Sequence, residues 1–421
     1  MGNGAESEYV DADVVVIGGG SAGIAAAVGA AQAGAEVVLI EQYGFLGGAA
    51  TTGSVLTYCG FFDQTGRQVV QGVGQLLIDK LRERDIYRTH TFVETGNTVV
   101  LLDQEITKRA CDELIAEAGV RLFLHTTVIG ADVDGDRVVG VEAAHRGGRL
   151  IFRAPAFVDA SGDGILLASA GGETVISPPA ERQASTLVMR VAGVGANADV
   201  SGTGMTRAVE RYRVESGSEL VRTSGIAARL PLSHEIMLLL ADEHRDVLDA
   251  AQLTRSELDG RQLCWEYLEA FRRHLDGWAD ARLASTGPQI GIREARRMRG
   301  QQTVTADDVT AGRKREHEAI ARCGWPMENH VVPGVTEYGG IADRGWYDIP
   351  YGAICSANRR NLWAGGRLTS SDSRAYASLR VMGTSFATGH ASGVAAAMYS
   401  RSGVHDSDRT RAELRDQGAL I

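Results

Sequence analysis

The sequence predicts an α/β fold in which a Rossmann-type dinucleotide-binding domain carries a three-stranded β-meander and is joined by a second, mixed α/β cap domain. Three observations predict it. Near the N-terminus a strand, a glycine turn, a helix and a second strand follow one another within about thirty residues, the order of a βαβ unit. Glycine-bearing turns then separate three alternating segments. Finally, the middle of the chain turns more charged and more helical before the glycine-rich pattern returns. These shifts divide the chain into residues 1–185 and 331–421, two parts of the nucleotide domain, with the cap at 186–330.

Taken in order, residues 1–10 are polar and read as a frayed end. The β-branched run 12–17 suits a buried parallel strand, and the small residues of 21–33 suit a closely packed helix stopped by Gly34. A second strand is expected at 36–40. A helix at 103–118 sets Ile106, Ala110, Leu114 and Ile115 on one face, with Gly119 as its C-cap. A strand at 120–124 precedes the meander, 127–133, 137–143 and 150–153, which turns at Asp134-Gly135 and Gly147-Gly148. In the cap, Leu263, Cys264, Tyr267, Leu268, Phe271 and Leu275 recur at helical spacing and read as a core-facing stripe. A strand at 361–364, a helix from Thr384 or Ser385 to about Met398 and a charged helix at 408–416 close the chain.

Composition narrows the function. The 421 residues, 44% hydrophobic and 23% charged, supply a sizeable core, and a formal charge of -10 argues against nucleic-acid binding. The 52 glycines exceed the usual share of ~7% and imply many tight turns or close backbone approaches. Lysine occurs only at Lys80, Lys108 and Lys314, an arginine bias that fits a GC-rich bacterial genome. The five cysteines form no C-x-x-C pair, so zinc, iron–sulfur and redox-dithiol sites are disfavoured and no metal is expected. Their odd number fits a reducing compartment. The apolar stretch 14–40 is broken by glycines and follows no basic segment, so it is neither a membrane span nor a signal peptide. Glu6 stands where a myristoylation site needs Ser or Thr. The cytoplasm is the expected location, with no membrane partner.

The chemistry begins at Gly18-Gly19-Gly20-Ser21-Ala22-Gly23, a G-x-G-x-x-G between the first strand and its helix. Gly18 permits the tight turn, Gly20 lets backbone approach a pyrophosphate, and Gly23 allows the helix to pack on the strand. The N–H groups at the helix start attract phosphate. Glu41, at the end of the second strand, is placed to accept hydrogen bonds from both ribose hydroxyls and would repel a 2′-phosphate. The same stretch also satisfies G-x-S-x-G, the nucleophile elbow of serine hydrolases. Only about eleven mostly polar residues precede the strand that leads into it, too few for the strands a hydrolase sheet needs there. No second G-x-G-x-x-G with an acidic strand end follows, so no separate nicotinamide domain is expected.

The next segment, Glu41-Gln42-Tyr43-Gly44-Phe45-Leu46-Gly47-Gly48-Ala49-Ala50-Thr51, resembles the FAD-dependent oxidoreductases of the glutathione-reductase-type fold. The likeness is to the family related to the heterodisulfide reductase FAD subunit and, more distantly, to fumarate reductase flavoproteins. Phe157-Val158-Asp159-Ala160-Ser161-Gly162-Asp163-Gly164 is similar to its turn after the meander, and Gly291-Ile292-Arg293-Glu294-Ala295-Arg296-Arg297 to its arginine-rich segment. Ala364-Gly365-Gly366-Arg367 and Ser378-Leu379-Arg380-Val381-Met382-Gly383-Thr384 resemble its C-terminal flavin segment. Relatives have Pro-Thr-Cys where this chain has Gly383-Thr384-Ser385, and their cysteine clusters are absent here, so heterodisulfide reduction is not implied.

The resemblance implies FAD as cofactor. It places Gly18, Gly20, Ser21, Ala22 and Gly23 at the pyrophosphate, with Glu41 and Gln42 at the adenosine. Gly47, Gly48, Ala49 and Thr51 form a turn beside the flavin, and Val128, Ala160, Ser161 and Gly162 complete the wall. Gly366 and Arg367, with Thr384 and Ser385 capping the last long helix, lie at the flavin. That helix start would stabilise negative charge on the reduced ring.

Flavin carries the redox chemistry, so protein groups are sought to hold substrate and manage protons. Arg293 and Arg297 would share one face of a helix and clamp an anion. Arg380 lies just before the flavin-facing helix. His330, Tyr338, Tyr347 and Tyr351 lie where the chain returns from the cap, whereas His390 reads as a packed helix residue. The expected activity is two-electron dehydrogenation of a small organic molecule, anionic if the arginines bind it, with hydride passing to flavin N5. Flavin monooxygenation is the alternative, and a non-catalytic module is the reading from another class. Trp346-Tyr347-Asp348-Ile349-Pro350 echoes the W-x-W-x-I-P of flavin halogenases with one Trp missing. Their lysine would fall on Lys80, which reads as a surface position on an amphipathic helix. A homo-oligomer is compatible with all of these.

Overall fold

The computed structural model describes residues 8–92 and 95–421, so the expectations for residues 1–7, Glu6 among them, lie outside the described residues. Val14–Ile17 and Val37–Ile40 are buried at every position, as strands covered on both faces must be. They are central in a five-stranded parallel sheet ordered Leu362–Ala364, Ala156–Asp159, Val14–Ile17, Val37–Ile40, Arg121–Phe123. The helix Ser21–Gln32 lies between the first two in sequence, and Gln104–Glu117 is started by Asp103, whose carboxylate accepts the Ile106 N–H at 3.0 Å.

The C-terminal helix Met382–Ser402 packs along Ser21–Gln32 with almost no gap. A Cβ on Gly393 would lie 1.9 Å from the Ala26 carbonyl oxygen, so the approach requires glycine there. His390 is buried in this seam and bonds Gln417 at 2.6 Å, in keeping with a packed helix residue.

The meander forms over Thr127–Asp134, Arg137–His145 and Gly148–Arg153. It gains a fourth strand: Glu8–Asp11 runs parallel to Gly148–Arg153, and Arg153 donates to the Asp11 carboxylate at 2.8 Å. Residues 8–10 are therefore held in a sheet edge and are not frayed. The middle of the chain builds an antiparallel sheet in the order Ile226–Arg229, Ile236–Glu243, Ser185–Ala192, Arg282–Thr286. Helices Gly202–Ser216 and Ala250–His274 pack on it, and Cys264, Tyr267, Leu268 and Phe271 face a core of their own. By contrast Val304, Ala306, Val309 and Ile320 join the core of the parallel sheet, so 304–320 packs with the nucleotide-binding side.

Two local expectations fail for tertiary reasons. Residues 291–296 are not helical, and Arg297–Met298 is a short strand paired with Thr174–Val175, so Arg293 and Arg297 share no helical face. Lys80 is buried on Val73–Glu83, its stem covered and its ammonium 2.7 Å from Glu117, and is not a surface position. Among the described residues no helix is long and apolar enough to cross a membrane.

Candidate functional site

A cleft of about 1100 Å³, open mouth included, runs across the C-terminal ends of the parallel strands, where α/β sheets bind ligands. Its floor is the glycine loop, and the three loop glycines do different work. Gly18 has φ +95°, and a Cβ on it would sit 2.6 Å from the Ala160 carbonyl oxygen. A Cβ on Gly23 would fall 1.6 Å from the Gly18 carbonyl oxygen. Both positions are therefore fixed by chain-to-chain packing. Gly20 alone has room, its nearest neighbour being the Gly48 Cα at 3.5 Å, and it lines the cleft. Its missing side chain leaves that part of the cleft open.

The helix Ser21–Gln32 begins at this point with no side-chain cap, leaving its first N–H groups for an anion. Ser21 and Arg367 both line the cleft, and both hold a buried polar atom without a hydrogen-bond partner, Oγ and Nη1. The other Arg367 amine donates to Asp163 at 2.8 Å, so the guanidinium is aligned but not saturated. Unspent donors beside a bare helix start fit a dinucleotide pyrophosphate.

At one end stands Glu41. Its carboxylate accepts the Gly19 amide at 2.6 Å and the Tyr43 amide at 2.9 Å, which fixes the glycine loop to the strand end. Burial raises its pKa, and these amides oppose the rise. Each oxygen keeps a second lone pair for a ribose hydroxyl. Gln42 and Val128 line the same end, and Gly48, Ala49, Ala160, Ser161 and Gly162 the middle.

At the other end are Gly291, Ile292, Gly366, Arg380, Met382 and Ser385. The helix Met382–Ser402 opens here after Val381 and takes no side-chain cap, so Thr384 and Ser385 are not capping residues. Ser385 Oγ turns back to the Val381 carbonyl at 3.0 Å, and Thr384 Oγ1 meets Cys323 Sγ at 3.2 Å, away from the cleft. Thr51 is also structural: its hydroxyl donates to the Leu46 carbonyl at 2.7 Å and closes the turn. Gly47 supports that turn with φ +115°, its amide on the Gly19 carbonyl at 2.9 Å.

Of the candidate catalytic residues, Arg380 alone lines the cleft. Its Nε donates to Gln183 Oε1 at 3.0 Å and one terminal amine to the Glu328 carbonyl at 2.9 Å. Arg293 sits behind it, bonded to the Ala184 carbonyl at 2.7 Å and to Thr186, and 3.7 Å from Asp242. Burial pushes its pKa down to about 10, the Asp242 charge opposing and the Arg380 charge adding to the shift. His330 lies in the same cluster, Nδ1 3.3 Å from Thr336 and Nε2 3.5 Å from Glu328. Burial and the Arg293 charge push it down to about 4, so it is neutral at neutral pH.

Tyr351 does not belong to this group. Its hydroxyl meets His405 at 3.3 Å in an aromatic cluster with Trp363 and Tyr399, away from the cleft lining. Tyr347 is buried on Ser378 at 2.8 Å, and one Arg297 amine is held by Glu294 and Ser177, away from the cleft lining. Sequence reasoning missed Thr52, Thr126, Gln289 and Met382 in the lining, and Gln183 and Glu328 behind it. Gln289 carries a signal only in three dimensions: its amide donates to the Thr52 carbonyl at 3.1 Å and its side chain receives the Tyr43 hydroxyl.

Solved structures share the fold. A geranylgeranyl bacteriochlorophyll reductase-like protein from Thermoplasma acidophilum is 12% identical, with 97% of this chain and 83% of that chain covered at a TM-score of 0.50. BexE, studied for oxidation during BE-7585A biosynthesis, is 13% identical over 97% of this chain and 66% of that one, also at 0.50. The family described as FAD dependent oxidoreductase matches residues 13–417. The glycine loop, the unspent donors along the cleft and a match over nearly the whole length agree: the chain belongs to the FAD dependent oxidoreductase family, an enzyme family that uses FAD.

Proposed function

We propose that the protein removes two electrons from a small organic molecule bound at the Arg380 end of the cleft, with the antiparallel sheet and helices of residues 185–286 acting as the cap domain that closes over it. The observation that carries this reading is the composition of that end. Gly291 and Ile292, which follow the edge strand Arg282–Thr286 of the antiparallel sheet, line it together with Arg380 and Met382 from the nucleotide-binding side. A small molecule held there would be enclosed between the two parts of the chain.

The glycine loop and the start of Ser21–Gln32 would hold the FAD pyrophosphate, Glu41 the ribose, and the start of Met382–Ser402 the flavin ring. When bound, FAD supplies the hydride acceptor, its N5. The chain's own part is to orient substrate and to exclude water. Arg380 contacts the substrate, and its two hydrogen bonds to Gln183 and Glu328 fix its direction. His330 is a positioning residue: neutral, it stands 3.5 Å from the Glu328 carboxylate and 3.3 Å from Thr336 without adding charge. Burial pushes the Glu328 carboxyl up, but its contact with His330 and the Arg380 charge outweigh this and hold it at about 2.

The test is anaerobic. The FAD-loaded protein is mixed with amines, hydroxy acids and heterocycles, and the flavin absorbance is followed. One compound class should bleach it while NADH and NADPH alone do not. Rapid bleaching by either nicotinamide before any substrate is added would contradict dehydrogenation and support monooxygenation.

A further inference from the structure

Around Arg380 the charges do not balance. Arg222, Arg293 and Arg380 bring three cations, and Asp242 and Glu328 two anions. Asp242 is committed to Arg222 at 2.6 Å, to Thr186 and to Arg293. Glu328 is committed to the Trp325 indole N–H at 3.0 Å and faces His330. Among the described residues Arg380 has no carboxylate partner within ion-pair distance, although it alone of the three arginines lines the cleft. Leaving a half-buried guanidinium without an anion is costly.

A second observation lies beside it. Gln183 is 5% exposed, and its Nε2 has no hydrogen-bond partner. The orientation of this amide is settled chemically. Arg380 Nε can only donate, so the Gln183 oxygen must face it, and the NH₂ group is the end left over. The Gln183 backbone N–H is itself spent on Glu294 at 3.1 Å. A buried amide donor without an acceptor therefore stands one amide's width from a guanidinium that has no carboxylate at ion-pair distance.

We infer that the substrate carries a carboxylate, received by the guanidinium of Arg380 and the side-chain amide of Gln183. This rests on the Arg380 end of the cleft being the substrate chamber. A carboxylate supplies both missing elements, a negative charge and two acceptor oxygens, in the planar geometry that arginine matches. A neutral carbonyl would satisfy the amide and leave the charge. Gln183 is then a specificity residue: its oxygen aims Arg380 and its nitrogen selects for an acceptor.

The FAD-loaded protein is titrated with acetate and benzoate, with acetamide and benzamide, and with inorganic phosphate, while the visible flavin spectrum reports binding. At least one carboxylate should shift the spectrum saturably and its amide should not. Gln183→Glu keeps an oxygen for Arg380 but replaces the donor by an anion. It should retain FAD and the unfolding midpoint and weaken carboxylate binding about 10-fold or more, the worth of a charge-assisted hydrogen bond. Arg380→Lys should bind more weakly than wild type and Arg380→Met not at all. Amides binding like their acids, phosphate binding alone, or a Gln183→Glu protein that binds as wild type would each overturn the inference. Bleaching by uncharged compounds without carboxylate binding would overturn it and leave dehydrogenation standing. Carboxylate binding with reduction by NADPH alone would support the anion site and remove dehydrogenation.

Discussion

At its glycine-loop end the cleft is shaped mainly by backbone; at its Arg380 end the charge is set by side chains, Arg380 in the lining and others behind it. The first is assembled from residues 18–23, 41–49 and 160–162, three short runs whose geometry is dictated by glycines and strand ends. The second draws Gln183, Arg293, Glu328 and Arg380 from four separate segments, joined through single hydrogen bonds. A backbone site depends on local sequence and tolerates few residue types. A side-chain site depends on tertiary placement, and its chemistry can be rewritten without disturbing the loop.

The sharpest way to break this comparison lies within the glycine loop itself. Gly23→Val puts a side chain into the Gly18 carbonyl, where even a Cβ would stand at 1.6 Å. It should give no folded protein by circular dichroism. Gly20→Ala, three residues earlier, has φ -79° and a free radius to 3.5 Å, so the protein should fold with its apo melting temperature little changed. Its FAD affinity should nevertheless fall about 10-fold or more, the equivalent of about 1.4 kcal/mol lost at the pyrophosphate. Equal damage from both substitutions would mean that Gly20 serves packing and not the ligand.

A smaller effect tests the seam that supports both ends. Burial pushes His390 from 6.5 down to about 4, with the Gln417 hydrogen bond opposing. The unfolded chain therefore binds a proton that the folded one refuses. Stability from this group is complete above pH about 6.5 and is lost as pH falls toward 4. Over that window wild type should lose up to about 3 kcal/mol more than His390→Gln. Urea unfolding of both proteins at several pH values checks the difference; parallel pH profiles would contradict it.

The same contrast explains what could be read from the sequence. The βαβ unit, the meander and Glu41 were legible because strand period, glycine turns and an acidic strand end lie within a few residues of one another. The edge strand Glu8–Asp11 was not, since nothing in four mostly polar residues announces a partner some 140 positions away. Arg293-Glu294-Ala295-Arg296-Arg297 has helical spacing, yet each arginine is drawn to a different place: Arg293 to Ala184, Arg296 to the Asp163 carbonyl, Arg297 to Glu294 and Ser177. These tertiary bonds override a weak local preference. Thr384 and Ser385 looked like caps, but Val381 begins the helix and the Gly383 amide is taken by the Cys59 carbonyl at 2.7 Å. Gln183 had no local signal at all, because its meaning comes from Arg380, 197 positions on.

The central claim is that one cleft holds FAD with the adenosine at Glu41 and the flavin at Arg380, and ligand competition on the apo-protein tests it most directly. Calorimetric titration should show one FAD per chain, displacement by ADP, which shares the adenosine and pyrophosphate, and no binding of FMN at comparable concentration. Gly20→Leu should abolish the FAD heat while Gln183→Glu retains it. FMN binding as tightly as FAD, or full FAD binding by Gly20→Leu, would contradict the assignment of the glycine loop and Glu41 to the dinucleotide.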